Sequence, residues 1–362
     1  MADDDRLASM PEQWVEDRYR AALVFSDRVL DYLNVLGELL SSLEFPRQYP
    51  PPPKKPPGLD QLLQEMRGDP IHRVDTHMDD WDRVLTPRYH GARRRWLHYE
   101  IHFAASAALL REHSWVHGTI TSTHENNFLS AMASLRGVVE ASADVYYALK
   151  KAPSVLVAWD RILRIAVDGA PVREGPQAVE SFMAEAESVI MDVAQLLDGV
   201  RHFRYALGKI RTRRSEYSHA PAAETMRSYI DSFDDCSDPV HDLYSLLCEY
   251  THPSGLSFIP FVAPAEDGIY ITPLDAHPLV TDVCRDHDEA IQIVLERSIG
   301  SCLLSLKTLN MLAGGELDTP VADAVDLAVS PRWETTWSHL KSTIDQVHSD
   351  FPDPPPFDAL PT

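Results

Sequence analysis

The sequence predicts an all-α protein, a multi-helix bundle with one small β-hairpin insertion. Three observations carry this expectation. Apolar residues recur at three- and four-residue steps through most of the chain, the spacing that lines one face of a helix. Proline-rich stretches, FPRQYPPPPKKPPG and APVREGP, separate helical segments from one another. One run alone, GLSFIPFVAPAEDGIYITPL, alternates and is rich in aromatic and β-branched residues; its Asp267-Gly268 pair suits a tight turn and places the hairpin near 255–273.

In chain order, Phe25, Val29, Leu33, Leu36, Leu40 and Leu43 share a face, so residues 1–45 read as an N-terminal helix spanning about 12–44. FPRQYPPPPKKPPG then stops any helix, because proline removes a donor and clashes with the preceding turn. Residues 46–58 read as a semi-rigid linker, with a ligand for a proline-reading domain as the alternative. The core is expected over 59–315. It starts with a short helix at Leu59–Arg67, followed by helices near 92–115, 124–151, 154–168 and 176–214, with APVREGP between the last two. Shorter helices are expected near 222–232 and 239–251, and a long one near 286–313. The region 316–350 carries a last helix near 331–349, and the proline-rich tail 351–362 is expected to be disordered.

Composition narrows the function classes. A net charge of −22 disfavours indiscriminate binding to nucleic acid or anionic membrane while leaving room for a local basic site. The four cysteines (Cys236, Cys248, Cys284, Cys302) form no Cys-x-x-Cys pair and no disulfide framework, which suits a reducing compartment. The first residues, MADDDRLASM, are acidic and lack the apolar core of a signal peptide, and no stretch is long and apolar enough to span a membrane. A cytoplasmic protein without membrane association is therefore expected.

The helix FLSAMASLRGVVEASADVYYAL carries three charged residues, Arg136, Glu140 and Asp144, spaced four apart and so aligned on one face. Phe128, Met132, Leu135, Val139, Tyr146 and Leu149 form the neighbouring apolar stripe. A helix apolar on nearly every other side is expected to be covered all round, and its charges must then be paired. Two readings stay open. One is an ion-pair network that fixes helix register. The other is a buried polar pocket in which Arg136 grips an anionic group and Glu140 or Asp144 acts as base or ligand.

Further on, RHFRYALGKIRTRR (Arg201–Arg214) holds six Lys/Arg and no acid. Such a run either complements a helix C-terminus or binds phosphate, and Arg204, Arg211 and Arg213 are the candidates for an RNA or phosphate ligand. Glu216-x-x-His219 and Glu249-x-x-His252 each put a carboxylate and an imidazole on one helix face, the arrangement carboxylate-bridged di-metal bundles use. With Glu140 they make the candidate ligand set for iron or manganese in a di-metal oxidase.

Two resemblances to known families add expectations. Arg214, four residues, then His219 resembles the Arg-x4-6-His signature of the HEPN superfamily, helical proteins common in bacterial toxin and phage-defence systems. That resemblance implies metal-independent RNA cleavage at a dimer interface, with His219 as acid/base and Arg214 stabilising the phosphorane-like transition state. Across about residues 90–315, LRGVVEASADVYYAL together with LYSLLCEYTHPSG is similar to a family of uncharacterised bacterial helical proteins. That family pairs an Arg-x3-Glu helix (Arg136, Glu140) with a later Tyr-x-x-Leu…His-Pro-Ser helix end (Tyr244, Leu247, His252, Pro253, Ser254). It implies a helical fold and no set chemistry. From these residues the sequence predicts a binding or interaction module, in a stress or defence setting, that needs no cofactor. Its centre would be a buried cluster of Arg136, Glu140, Asp144, Tyr250 and His252. The ribonuclease and the di-metal oxidase are the alternatives. No partner is identified, and a homodimer through helix 12–44 is one expectation.

Overall fold

A computed structural model describes residues 87–205, 224–253, 257, 261–265, 268–271, 276–313 and 331–352. The expected N-terminal helix 1–45, the linker 46–58, the short helix Leu59–Arg67 and the tail beyond 352 lie outside the described residues.

The described chain is all-α. Helix α1 (Pro87–His124) opens on a proline, whose fixed φ and missing donor suit a first helical position. It ends in a tight turn where Asn126 takes φ 57, a left-handed conformation that asparagine tolerates. Asn127 then accepts a hydrogen bond from the Ser130 amide at 3.1 Å and so caps α2 (Phe128–Leu149). Helix α3 (Ala152–Asp168) stops at Gly169, which sits at φ 70 and donates its amide to the Ile165 carbonyl. There follow α4 (Ala170–Glu174), α5 (Pro176–Tyr205) and α6 (Met226–Ile230); Thr225 caps α6 by accepting from the Ser228 amide. A 3-10 turn (Asp231–Cys236) leads into α7 (Ser237–Thr251). Strands β1 (Val262–Ala265) and β2 (Gly268–Ile271) pair antiparallel, with Val262 opposite Ile271; residues 266–267 between them lie outside the described residues. Helices α8 (Ala276–Asp286), α9 (Asp288–Ala313) and α10 (Pro331–Asp350) complete the order.

The differences from expectation are local. The APVREGP separator contains one helical turn, α4, and the stretch near 222–232 is shared between α6 and the 3-10 turn. Helix α8 had no counterpart in the sequence reading. It is short and carries Pro278 in its first turn, although Leu279, Val280, Val283 and Cys284 do recur at helical spacing. No described helix is long and apolar enough to cross a membrane.

Two compact units divide the chain. The first takes Ala108–Tyr146 and Glu224–Ile299. Leu109, Met132, Leu135 and Val139 are buried here, as are Phe233, Leu243, Leu247 and Val294. The Trp115 indole lies across Gly137, where a Cβ would come within 2.4 Å of the ring, so glycine alone admits the tryptophan without a shift. Arg297 of α9 donates to the Phe233 carbonyl and to the Cys236 sulfur at 2.9 Å. Its guanidinium stands 5.7 Å from the Tyr146 ring centroid, and that ring stacks on Phe233.

The second unit takes the described residues of 87–107, 147–205 and 300–352. Here α3 packs against α5 and α10. Leu97, Ile101, Leu156, Trp159, Leu163, Val200, Leu306 and Ile344 fill its core. The Lys307 ammonium sits 4.5 Å from the Trp337 ring centroid, a cation–π contact between α9 and α10.

Candidate functional site

Within the first unit, α2 brings the Arg136–Glu140 edge to the C-terminal end of α7. Arg136 Nε donates to Glu140 Oε1 at 2.8 Å, one helical turn away. The Tyr244 hydroxyl donates to the same oxygen at 3.1 Å. Arg136 Nη1 donates to Thr251 Oγ1 at 3.2 Å and lies 3.4 Å from His252 Nε2. Arginine has only donors, so Nε2 of His252 can take part in this contact only as the acceptor. The guanidinium also stands 5.6 Å from the Tyr244 ring centroid.

Local sequence explains this geometry. Pro253 disfavours a helical conformation at the residue before it. His252 accordingly leaves α7 at φ −95, ψ 157, while its amide still closes the last turn on the Cys248 carbonyl. Tyr244, Cys248 and Thr251 follow the i, i+4, i+7 spacing and so share one face of α7. Thr251 completes the arrangement by donating its own hydroxyl to the Leu247 carbonyl at 2.7 Å, which leaves its oxygen turned to accept from Arg136.

The electrostatics suit a standing ion pair. Burial works against the Arg136 charge, but Glu140, Tyr244 and Cys248 together outweigh it and hold the guanidinium more firmly protonated than usual. Burial raises the Tyr244 hydroxyl above its ordinary range, helped by the Cys248 sulfur and the Glu140 charge, so it stays a donor. Among the described residues Arg136 Nη2 and Glu140 Oε2 have no hydrogen-bond partner.

Several expectations need correction. The cluster is not enclosed in a core: the Arg136 and Glu140 side chains are 26% and 37% exposed, and His252 is exposed. Helix α2 buries its apolar stripe but keeps one edge open, so the ion pair stays hydrated. Asp144 belongs to a different pair, with Arg111 of α1 at 2.9 Å. Tyr250 does not join the cluster; its ring packs edge-on against Phe128 with centroids 5.0 Å apart. Six residues beyond Tyr244, it falls on another side of α7, and Tyr244 and Thr251 take the place it was expected to hold.

The metal and phosphate candidates fare differently. Glu216, His219, Arg211, Arg213 and Arg214 lie outside the described residues, as does Ser254; Arg204 is on α5, but its side chain is outside them too. Glu249 is exposed on α7. Among the described residues no group of three or more His, Cys, Asp or Glu side chains is placed to hold a metal ion. Arg136 contacts both Glu140 and His252. A fixed guanidinium between two candidate ligands repels a divalent cation, so these residues do not fit the di-metal centre.

A second polar cluster, in the second unit, went unread in the sequence. Asp160 of α3 is 1% exposed and takes Arg94 at 2.9 Å and Arg164 at 2.7 Å. His348 of α10 approaches it at 3.5 Å. Arg94 also donates to the Leu312 carbonyl in the last turn of α9, and Arg164 to the Phe351 carbonyl just after α10. Each guanidinium therefore meets carbonyls that a helix end leaves unpaired, where the macrodipole favours positive charge. Burial would raise the Asp160 carboxyl, but His348, Arg94 and Arg164 overcome it and hold it below the usual range. Burial pushes the nearby His98 down to about 3, and Arg94 adds to the effect. With its polar groups turned on one another and little surface, this cluster reads as structural. Its signal was Asp160-x3-Arg164, an acid and a base one turn apart on a helix whose other charges are Arg161 and Asp168.

No known protein family, curated protein or solved structure matches this chain.

Proposed function

We propose that the protein is a cytoplasmic recognition module that binds an oxyanion-bearing ligand, a phosphate or a carboxylate, at the Arg136–Glu140–Tyr244–Thr251–His252 cluster. The observation that carries this reading is the half-exposed Arg136. Its Nε and Nη1 are fixed by protein partners, and its Nη2 is left without one among the described residues. A guanidinium held in place by two of its nitrogens and open at the third is pre-organised to donate to an anion. The exposed His252 stands beside it at the rim of the cluster. Glu140 balances the charge of Arg136, so binding is selective but readily reversed. The meeting of Arg136, Glu140, Tyr244 and His252 also supports placing the chain with the bacterial helical proteins that carry this pair of motifs.

The test is a titration of the full-length, isotope-labelled chain with inorganic phosphate and with acetate, followed by amide and arginine side-chain NMR. Saturable shifts confined to Arg136, Thr251 and His252, and lost in Arg136→Met, are expected. Shifts that ignore Arg136→Met would refute the assignment. Metal-independent RNA cleavage abolished by His219→Ala would instead favour the ribonuclease reading.

A further inference from the structure

Glu112 of α1 has a fully enclosed side chain, at 0% exposure. It accepts a hydrogen bond from the Ser298 hydroxyl of α9 on Oε1. Its other polar neighbour is Ser142 of α2, itself 0% exposed. Glu112 Oε2 and Ser142 Oγ have no hydrogen-bond partner among the described residues.

The charged groups around it are committed elsewhere. Arg111, the preceding residue on α1, donates to Asp144 at 2.9 Å and to the Ala141 carbonyl at 3.0 Å. From α9, Arg297 adjoins Ser298 but engages Phe233, Asp235 and Cys236. From α2 the facing group is the uncharged Ser142. A carboxylate here would be a buried charge with no cation in contact among the described residues, which is strongly disfavoured. A carboxylic acid fits: a proton on Oε2 turns the orphaned acceptor into a donor for the neighbouring Ser142 oxygen, while Oε1 keeps Ser298.

We infer that Glu112 is a proton-operated latch, tying α1, α2 and α9 of the first unit together while protonated and loosening them when it ionises. Burial pushes its carboxyl up to about 7, against smaller opposing pulls from Ser298, Arg111 and Ser142. The native state therefore keeps a proton that the unfolded chain releases near the ordinary value of 4.5. Stability from this group is full at acid pH, declines as pH rises from that value towards about 7, and levels off above. The latch is independent of any ligand at Arg136.

The test is urea unfolding of the full-length chain at pH values across this window, for the wild type and Glu112→Gln. The amide offers one acceptor and one donor without titrating. Relative to the variant, the wild-type folding constant is expected to fall by roughly two powers of ten from acid to mildly alkaline pH. Should Glu112→Gln fail to fold, Ser298→Ala carries the test. It removes a donor that favours the charged form, so the midpoint of the wild-type loss moves to higher pH. A wild-type difference that stays flat across the window, or a Ser298→Ala midpoint that stays put or falls, overturns the inference.

Discussion

Replacing Asp160 by Asn probes the account of the second unit. Asp160 is the anion between Arg94 and Arg164, at 2.9 and 2.7 Å, and is 1% exposed. At an effective dielectric constant of about 20 each pair is worth about 4 kcal/mol of gross attraction, most of it offset by desolvation in the intact cluster. Asparagine keeps the shape and removes the charge, leaving two buried guanidiniums without their shared anion and with each other to repel. Breaking a buried pair in this way costs about 3–5 kcal/mol. In a domain of this size the loss corresponds to a fall in Tm of roughly 6–20 °C. Urea unfolding at neutral pH, with heat unfolding beside it, measures both. The triple variant Arg94→Met, Asp160→Leu, Arg164→Met removes all three charges and should lose less than Asp160→Asn alone. A single-variant loss under about 1 kcal/mol, or a triple variant worse than the single, would refute the claim that mutual neutralisation holds these groups inside.

Gly137→Ala should displace the Trp115 indole, because the added Cβ would lie 2.4 Å from the ring. Tryptophan emission should move to longer wavelength, and the change should vanish in a Trp115→Phe background. The acid limb of stability should depend on His98: its pKa lies at about 3 when folded against 6.5 when unfolded, so the unfolded chain binds more protons and stability falls as pH drops through that interval. His98→Gln should flatten this limb, as measured by urea unfolding at several acid pH values. Tyr244→Phe removes a hydrogen bond to Glu140 at 3.1 Å and should cost about 1 kcal/mol, with the α7 end exchanging its amide hydrogens faster. An unchanged exchange rate there would detach Tyr244 from the cluster.

Much of the architecture was legible because helices advertise themselves through period. The stripe Phe128, Met132, Leu135, Val139, Tyr146 and Leu149 is buried throughout, and its spacing alone identified that face. The unexpected α8 shows where length limits the signal: Leu279, Val280, Val283 and Cys284 keep the period, but for only about three turns and behind a proline in the first. Within the site, the residues paired by spacing on one helix, Arg136 and Glu140, do meet. Partners supplied by another helix were harder to choose: which residues of α7 face α2 depends on rotation, so Tyr250 was expected where Tyr244 and Thr251 stand. Burial was misjudged for a related reason. A helix with one charged edge looks the same in sequence whether that edge faces a core or water. Glu112 left no pattern at all, since a single carboxylate becomes notable only once the hydroxyls around it are known.

The charge balance at the cluster offers the most direct test of the central claim. In Glu140→Gln the amide oxygen keeps the hydrogen bonds from Arg136 and Tyr244 while the opposing charge is gone. Calorimetric titration of phosphate into this variant and into the wild type should show binding about five-fold tighter in the variant, the effect of one unit charge at roughly 4 Å in a hydrated site. Weaker or lost phosphate binding in Glu140→Gln would mean that the carboxylate itself serves the ligand or the chemistry, and would contradict an anion held by Arg136.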